Sequence, residues 1–285
     1  MEGGINKIEG SEMLSEKPTI AGKQYHLLVG EGDVARYVLL PGDPERVPRI
    51  ARTWDRYWHV ASHREYVTYT GEYKGVRISA TSTGIGGPST AIAIEELLRV
   101  GADTFIRVGT TGSLRRDVGI GDLVISIASV RMDGASRAYI FPEYPAVASY
   151  EVVLALIEAA EALGARYAVG ITASTDSFYV GQGRPGYRDY MPPWSKDLVG
   201  VLRDANVINF EMEAATIFTL SNIYGARAGA ICSVIANRET GEFVPDAGVD
   251  LMIRVANEAV RILSEWDSLK ERSGKKYFYP SIVRR

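Results

Sequence analysis

Short apolar runs of β type alternate along this chain with segments whose apolar residues recur at helical spacing. Tyr37-Val38-Leu39-Leu40 predicts a strand ending at Pro41-Gly42-Asp43-Pro44, with a short basic helix over about 45–52. Runs 65–73 and 76–82 flank Lys74-Gly75 and predict a hairpin. A helix over about 89–99 follows, with Pro88 in its first turn and Gly101 just past its end. Strands are predicted at 103–108, 123–130, 167–173, 207–210 and 228–236, and helices at 150–163, 196–204, 213–224 and 249–266. This alternation predicts an α/β protein with a mostly parallel or mixed sheet and helices on both faces. No internal repeat or low-complexity linker interrupts it, so one domain is expected, with a core of about 18–267. Segments 1–17 and the stretch after Lys270 read as solvated charged tails.

Hydrophobic residues make up 46% of the 285 and charged ones 24%, the ordinary range for a packed core. With 32 basic against 35 acidic residues the net charge is -3, which argues against a nucleic-acid partner. The single Cys232 excludes an internal disulfide framework, and His26, His59 and His63 are too few for an HExxH zinc site. No apolar run approaches the ~18 residues of a membrane span, and the first twenty residues lack a signal-type apolar core. A cytoplasmic protein with no membrane partner is expected.

Ligands of open α/β sheets bind at the carboxyl ends of strands. Gly42-Asp43-Pro44-Glu45-Arg46 lies at such an end, where a helix start and a guanidinium suit an anion. Arg107 interrupts an apolar strand, and Gly109-Thr110-Thr111-Gly112 after it reads as a second anion nest; a structural salt bridge is the equal alternative for Arg107. Gly84-Ile85-Gly86-Gly87-Pro88-Ser89 lacks the last glycine of a dinucleotide fingerprint, and no GK[ST] sequence occurs. Neither a nicotinamide cofactor nor ATP is therefore expected. The long polar loop 174–195 carries Phe178, Gln182 and Arg184, a set suited to stacking on a planar base and bonding its edge. Glu211-Met212-Glu213 sets a carboxylate pair at a helix start, where one could accept both hydroxyls of a sugar diol.

Taken in order, PGDPERV (41–47), ASHREY (61–66), STGIGGPST (82–90), IRVGTTG (106–112), VGITAS (169–174), FYVGQGR (178–184), FEMEAAT (210–216) and VIANR (234–238) resemble the uridine phosphorylases of the type I nucleoside phosphorylase superfamily. The resemblance runs from about Tyr25 to Leu263. It implies a three-layer α/β/α fold around a central mixed β-sheet, and a pentosyltransferase that uses inorganic phosphate and no organic cofactor. Mapped onto this chain, it gives phosphate to Gly42, Arg46, Arg107 and Thr110, with Arg64 arriving from a neighbouring subunit. Ribose falls to Met212 and Glu213, with His26 of the neighbour, and the base to Phe178, Gln182, Arg184 and Arg238. A potassium site maps to Glu65, Ile85 and Ser89. Shared sites of this kind imply self-association, commonly a homohexamer built as a trimer of dimers.

The loop after Arg184, with Pro192-Pro193-Trp194, departs from the bacterial pattern and bears on base selectivity. A purine phosphorylase is the nearest alternative, but such relatives usually carry Ser-Asn-Asp or Ser-Asp after this strand, and the corresponding stretch here, Ile235-Ala236-Asn237-Arg238, has no Asp; the Gln182/Arg184 pair also favours a pyrimidine. A nucleosidase should lack the arginine cluster, since water needs no anion cradle. A catalytically silent nucleoside-binding protein is the remaining alternative.

Overall fold

The computed structural model describes residues 16–284. Its strands are β1 (Thr19–Ile20), β2 (Lys23–Gln24), β3 (Tyr37–Leu40), β4 (Arg56–His63), β5 (Tyr66–Tyr73), β6 (Val76–Thr81), β7 (Thr104–Ser113), β8 (Leu123–Met132), β9 (Ala146–Val147), β10 (Tyr167–Thr175), β11 (Val207–Glu211) and β12 (Arg227–Asn237). Its helices are α1 (Arg46–Ala51), α2 (Gly87–Arg99), α3 (Gly134–Tyr139), α4 (Tyr150–Ala162), α5 (Leu198–Asp204), α6 (Ala214–Tyr224) and α7 (Val249–Ser273). A ten-stranded sheet runs β11-β10-β8-β12-β7-β3-β6-β5-β4, with β9 beside β8. It is mixed: β3, β6 and β7 pair in parallel, as do β8, β10 and β11, whereas β4 and β5 are antiparallel neighbours.

Alternation along the strands separates two apolar layers. Tyr37 and Leu39 of β3 join Ile106 and Val108 of β7 under α1, α4 and α7. Val38, Leu40 and Phe105 turn the other way and pack with Ile94 of α2 and Ile217 and Phe218 of α6. This is the expected three-layer α/β/α arrangement around a mixed sheet. Among the described residues no helix is long and apolar enough to cross a membrane.

One closure was not legible in the periodicity. β11 pairs in parallel with β10 and also, antiparallel, with β7 through Asn209↔Ser113 and Phe210↔Gly112. Strands β7, β12, β8, β10 and β11 thereby form a ring at one end of the sheet.

Three expectations are corrected. Segment 109–112 is not a nest after a strand: β7 continues to Ser113, because β12 pairs with it throughout and β11 caps its far end. Residues 56–63, assigned to no element, form edge strand β4, whose mostly exposed residues give no apolar run to read. The stretch after Lys270 is helical to Ser273 and then folds back. There Phe278 stacks on Trp266 with ring centroids 3.9 Å apart, and Ile282 is buried. Phe278 N donates to Glu151 Oε1 at 3.1 Å and Tyr150 Oη donates to Phe278 O at 2.9 Å. Lys275 and Lys276 remain exposed, so charge alone hid a docking segment. The other expected tail, 1–17, lies almost entirely outside the described residues. Phe278→Ala is expected to lower unfolding free energy by about 3 kcal/mol in urea titration while leaving the cavity chemistry untouched.

Candidate active site

The carboxyl ends of β3, β6, β7, β10, β11 and β12 converge on one cavity of about 970 Å³. Two parallel sets, β3–β6–β7–β12 and β10–β11, meet there because β11 closes antiparallel on β7, so chain segments far apart in sequence come together.

At one end lie the cations. Gly42 follows β3 and packs so tightly that a Cβ there would sit 3.2 Å from Gly84 O. Arg46, at the start of α1, reaches across to donate to Val108 O at 3.2 Å. Burial lowers its pKa from the ordinary guanidinium value; Asp43 supports the charge while Arg107 opposes it. Arg107 shares the face of Phe105 on β7, but the apolar layer stops there and the guanidinium meets acids instead. Its Nε lies 2.5 Å from Glu211 Oε2, and Nη2 pairs with Glu213 Oε2. Burial works against the charge, yet Glu213 and Glu211 outweigh it and raise the Arg107 pKa. The equal alternative, a structural ion pair, is thus realised. Even so, Nη1 is buried without a protein partner, and a Cβ on Gly42 would come within 4.0 Å of it. One donor of Arg107 remains available at the cavity. Thr110 lines the same wall.

Gly109 makes room for that guanidinium. A Cβ there would stand 2.8 Å from both Cζ and Nη2 of Arg107. Gly109→Ala is expected to displace the guanidinium, costing about 1–3 kcal/mol in stability and about 10- to 100-fold in turnover, read by thermal melting and steady-state assay.

The acids follow β11. Glu213 precedes α6, accepts from Gly86 N at 2.6 Å through Oε1, and is 3% exposed. Burial pushes its pKa upward and Arg107 pulls it back, with the net direction upward. Glu211 is buried beside it and accepts from Glu213 N at 2.8 Å and Ala214 N at 2.9 Å, as well as from Ser174 Oγ. The Gly-rich loop 84–89 thus serves Glu213 as a hydrogen-bond donor. Met212 also lines the cavity.

The third cluster belongs to the loop after β10. Gln182 is 3% exposed, and its Oε1 accepts from Arg184 Nη1 at 2.5 Å. The Arg184 guanidinium lies 4.1 Å from the centroid of the Phe178 ring. Burial, then repulsion from Arg238, brings the Arg184 pKa down to about 10, a guanidinium that would gain from an electron-rich partner. Arg238 donates to Gln182 O at 2.7 Å and Gly183 O at 3.2 Å, bracing the loop from behind.

Gly42, Arg46, Glu65, Ile85, Arg107, Thr110, Phe178, Gln182, Arg184, Met212, Glu213 and Arg238 therefore line one cavity. Arg64, His26 and Ser89 do not. Arg64 takes a left-handed backbone (φ 55°) at the β4–β5 turn and lies against the Tyr25 ring. His26 is paired through Nδ1 with Glu96 Oε1 at 2.7 Å, facing a separate groove along α2.

The order of these segments matches a known pattern. A model of the phosphorylase superfamily fits residues 36–265. The chain belongs to that superfamily. The match opens just before β3 and closes within α7, taking in every strand that feeds the cavity. Superfamily relatives include a uridine phosphorylase of Thermococcus kodakarensis, 62% identical over 269 residues, covering 94% of this chain and 97% of that protein. A uridine phosphorylase of Escherichia coli is 42% identical and covers 85% and 95%. A guanosine phosphorylase of Halorubrum lacusprofundi is 44% identical and covers 77% and 86%.

Sequence reasoning missed the cavity mouth. Gly241, Glu242 and Phe243 line it because the chain after β12 folds back, with Asn237 N donating to Glu242 O and Phe243 bridging Ala236. The adjacent Thr240-Gly241 was the one local turn signal. Glu211 was visible as half of an acid pair, but its task, holding Arg107, needed the fold.

Proposed function

We propose that this chain catalyses the reversible phosphorolysis of uridine to uracil and α-D-ribose 1-phosphate. The observation that supports this most is the half-buried Arg46 beside the buried Arg107, with Arg107 Nη1 unpartnered, in the same cavity as Glu213 and the Gln182–Arg184 pair. Phosphate would sit against Gly42, Arg46, Arg107 and Thr110, oriented as nucleophile by guanidinium donors. Glu213 would accept the ribose hydroxyls, beside Met212. A phosphate oxygen forms its bond to C1′ while the C1′–N1 bond breaks, and the glycosidic electron pair leaves on the base. The anomeric centre inverts. Negative charge that grows on uracil would be met by Arg184 and Gln182 over Phe178, each such donor contributing about 2–4 kcal/mol. No acid is needed to release so stable an anion.

Guanosine cleavage, the activity in the name of the Halorubrum relative, is the second reading. A purine leaves better when protonated. The stretch 235–238 carries no Asp, and its Asn237 spends its amide elsewhere: Nδ2 on Arg115 O and Val118 O, both at 3.0 Å, and Oδ1 on Glu239 N and Thr240 N. This favours the pyrimidine.

Arg64 and His26, outside the cavity of their own chain, fit donation to a neighbour's site in a cytoplasmic homohexamer, a trimer of dimers. Potassium would suit Glu65, Ile85 and Ser89. A Cβ on Gly84 would meet Glu65 Cγ at 2.8 Å and Ser89 Oγ at 3.2 Å, so hard oxygen donors gather there.

The test follows free base by absorbance from uridine and from guanosine, with and without phosphate. Phosphate-dependent release from uridine is expected. Phosphate-independent release, or release from guanosine alone, would overturn the reading.

A further inference from the structure

At the cavity floor and beneath it, the strand ring encloses two tiers of buried polar side chains, and Thr111 of the second also lines the cavity. The upper tier, Ser129–Ser174–Glu211–Arg107–Glu213, is charged and reaches the site. Two residues before Ser174 and Glu211 stand Thr172 and Asn209, which with Ser126 of β8 and Thr111 of β7 form a neutral tier, each at most 4% exposed.

The neutral tier has one direction. Thr172 Oγ1 donates to Asn209 Oδ1 at 2.8 Å, so Ser126 Oγ, 2.6 Å away, must donate to Thr172. Asn209 Nδ2 donates to Thr111 Oγ1 at 2.7 Å, and that hydroxyl donates to Phe210 O. Each link runs in one sense, and the chain ends on the carbonyl between Asn209 and Glu211. Meanwhile the backbone pairing of β11 with β7 comprises Asn209↔Ser113 and Phe210↔Gly112, with Leu114 N donating to Ile208 O at 2.7 Å just beyond. So short a ladder stops before Arg107 and Glu213, and toward the cavity the side chains that bridge the two strands share in setting their separation. β7 carries Arg107 and Thr110; β11 leads directly into Met212 and Glu213.

We propose that Asn209 is a positioning residue. Through Thr111 it sets the distance between the anion-holding side of the cavity on β7 and the sugar-holding side after β11. This rests on the phosphorolysis reading above. Asn209 touches neither substrate, so its loss should spare binding of each substrate alone and damage the reaction between them.

Asn209→Asp keeps the shape but removes the Nδ2 donor; Thr111→Val keeps the shape but removes both links of the hydroxyl; Thr111→Ser restores them. Turnover is measured per uridine-binding site, titrated calorimetrically, beside phosphate and uridine affinities and thermal melting. Leu156→Ala, a cavity on the opposite face of the sheet, is the control for general destabilisation. The expected result is a fall in turnover of about 100-fold for Asn209→Asp and at least tenfold for Thr111→Val. Affinities should stay within about threefold for Asn209→Asp, Thr111→Ser should recover most of the rate lost in Thr111→Val, and Leu156→Ala should stay within about twofold of the native rate. Undiminished turnover in either damaged variant would overturn the proposal, as would equal losses in Thr111→Ser and Thr111→Val, or a matching loss in Leu156→Ala. Should Asn209→Asp fail to fold, the Thr111 pair decides alone. Phosphate-independent turnover by the native protein would instead remove the reading beneath it.

Discussion

Alanine in place of Arg107 should lower phosphorolysis by about 10³-fold, the largest effect of any single change in the cavity. Two losses combine. The free Nη1 donor disappears, and Glu213 loses the cation that holds Oε2. Uridine binding should weaken less, about tenfold, because Gly86 N still fixes Oε1. Equal losses in turnover and in uridine binding would contradict a phosphate role for Arg107.

The same substitution should destabilise the fold in a pH-dependent way. Removing one partner of a buried ion pair costs about 3–5 kcal/mol, since the other charge is stranded. Here the stranded group is a carboxyl whose pKa burial already raises and Arg107 restrains. Without Arg107 it rises further. A carboxyl with a raised folded pKa favours the native state below its unfolded value, and that contribution is lost as pH climbs through the folded pKa. The melting temperature of Arg107→Ala should therefore decline, relative to the native protein, from about pH 4.5 upward. A parallel pair of pH profiles would show that Glu213 does not titrate in this way.

Glu213→Gln is expected to reduce kcat/KM for uridine by about 100-fold or more. A neutral amide can still accept from Gly86 N, but it forfeits the charge-assisted bonds to the ribose hydroxyls, about twice as strong as neutral ones. With 2′-deoxyuridine one of those bonds is absent from the start, so the loss should shrink to about tenfold. Competition between the two nucleosides measures the change directly. An identical loss for both would mean that Glu213 does not meet the 2′-hydroxyl.

The order of the main strands and helices other than β4, the mixed α/β class and the segments that carry chemistry were set by local pattern: apolar period, turn residues, and polar side chains at strand ends. Arg107 stood out because a cation in an apolar run demands a partner, and Glu211-Met212-Glu213 because an acid pair after a strand does too. Local pattern could not show that these two demands answer each other, since 104 and more residues separate them and only the antiparallel closure of β11 on β7 joins them. It could not show that 109–112 stays in the sheet, because glycines and threonines there look like a turn until β12 is alongside. It also read Lys275 and Lys276 as a tail, where a stacked Phe278 between charges anchors the end of the chain. Periodicity reports the face each residue turns to the core. Which faces then meet, and at what distance, is a property of long-range strand pairing and packing, and the spacing between anion and sugar is decided there.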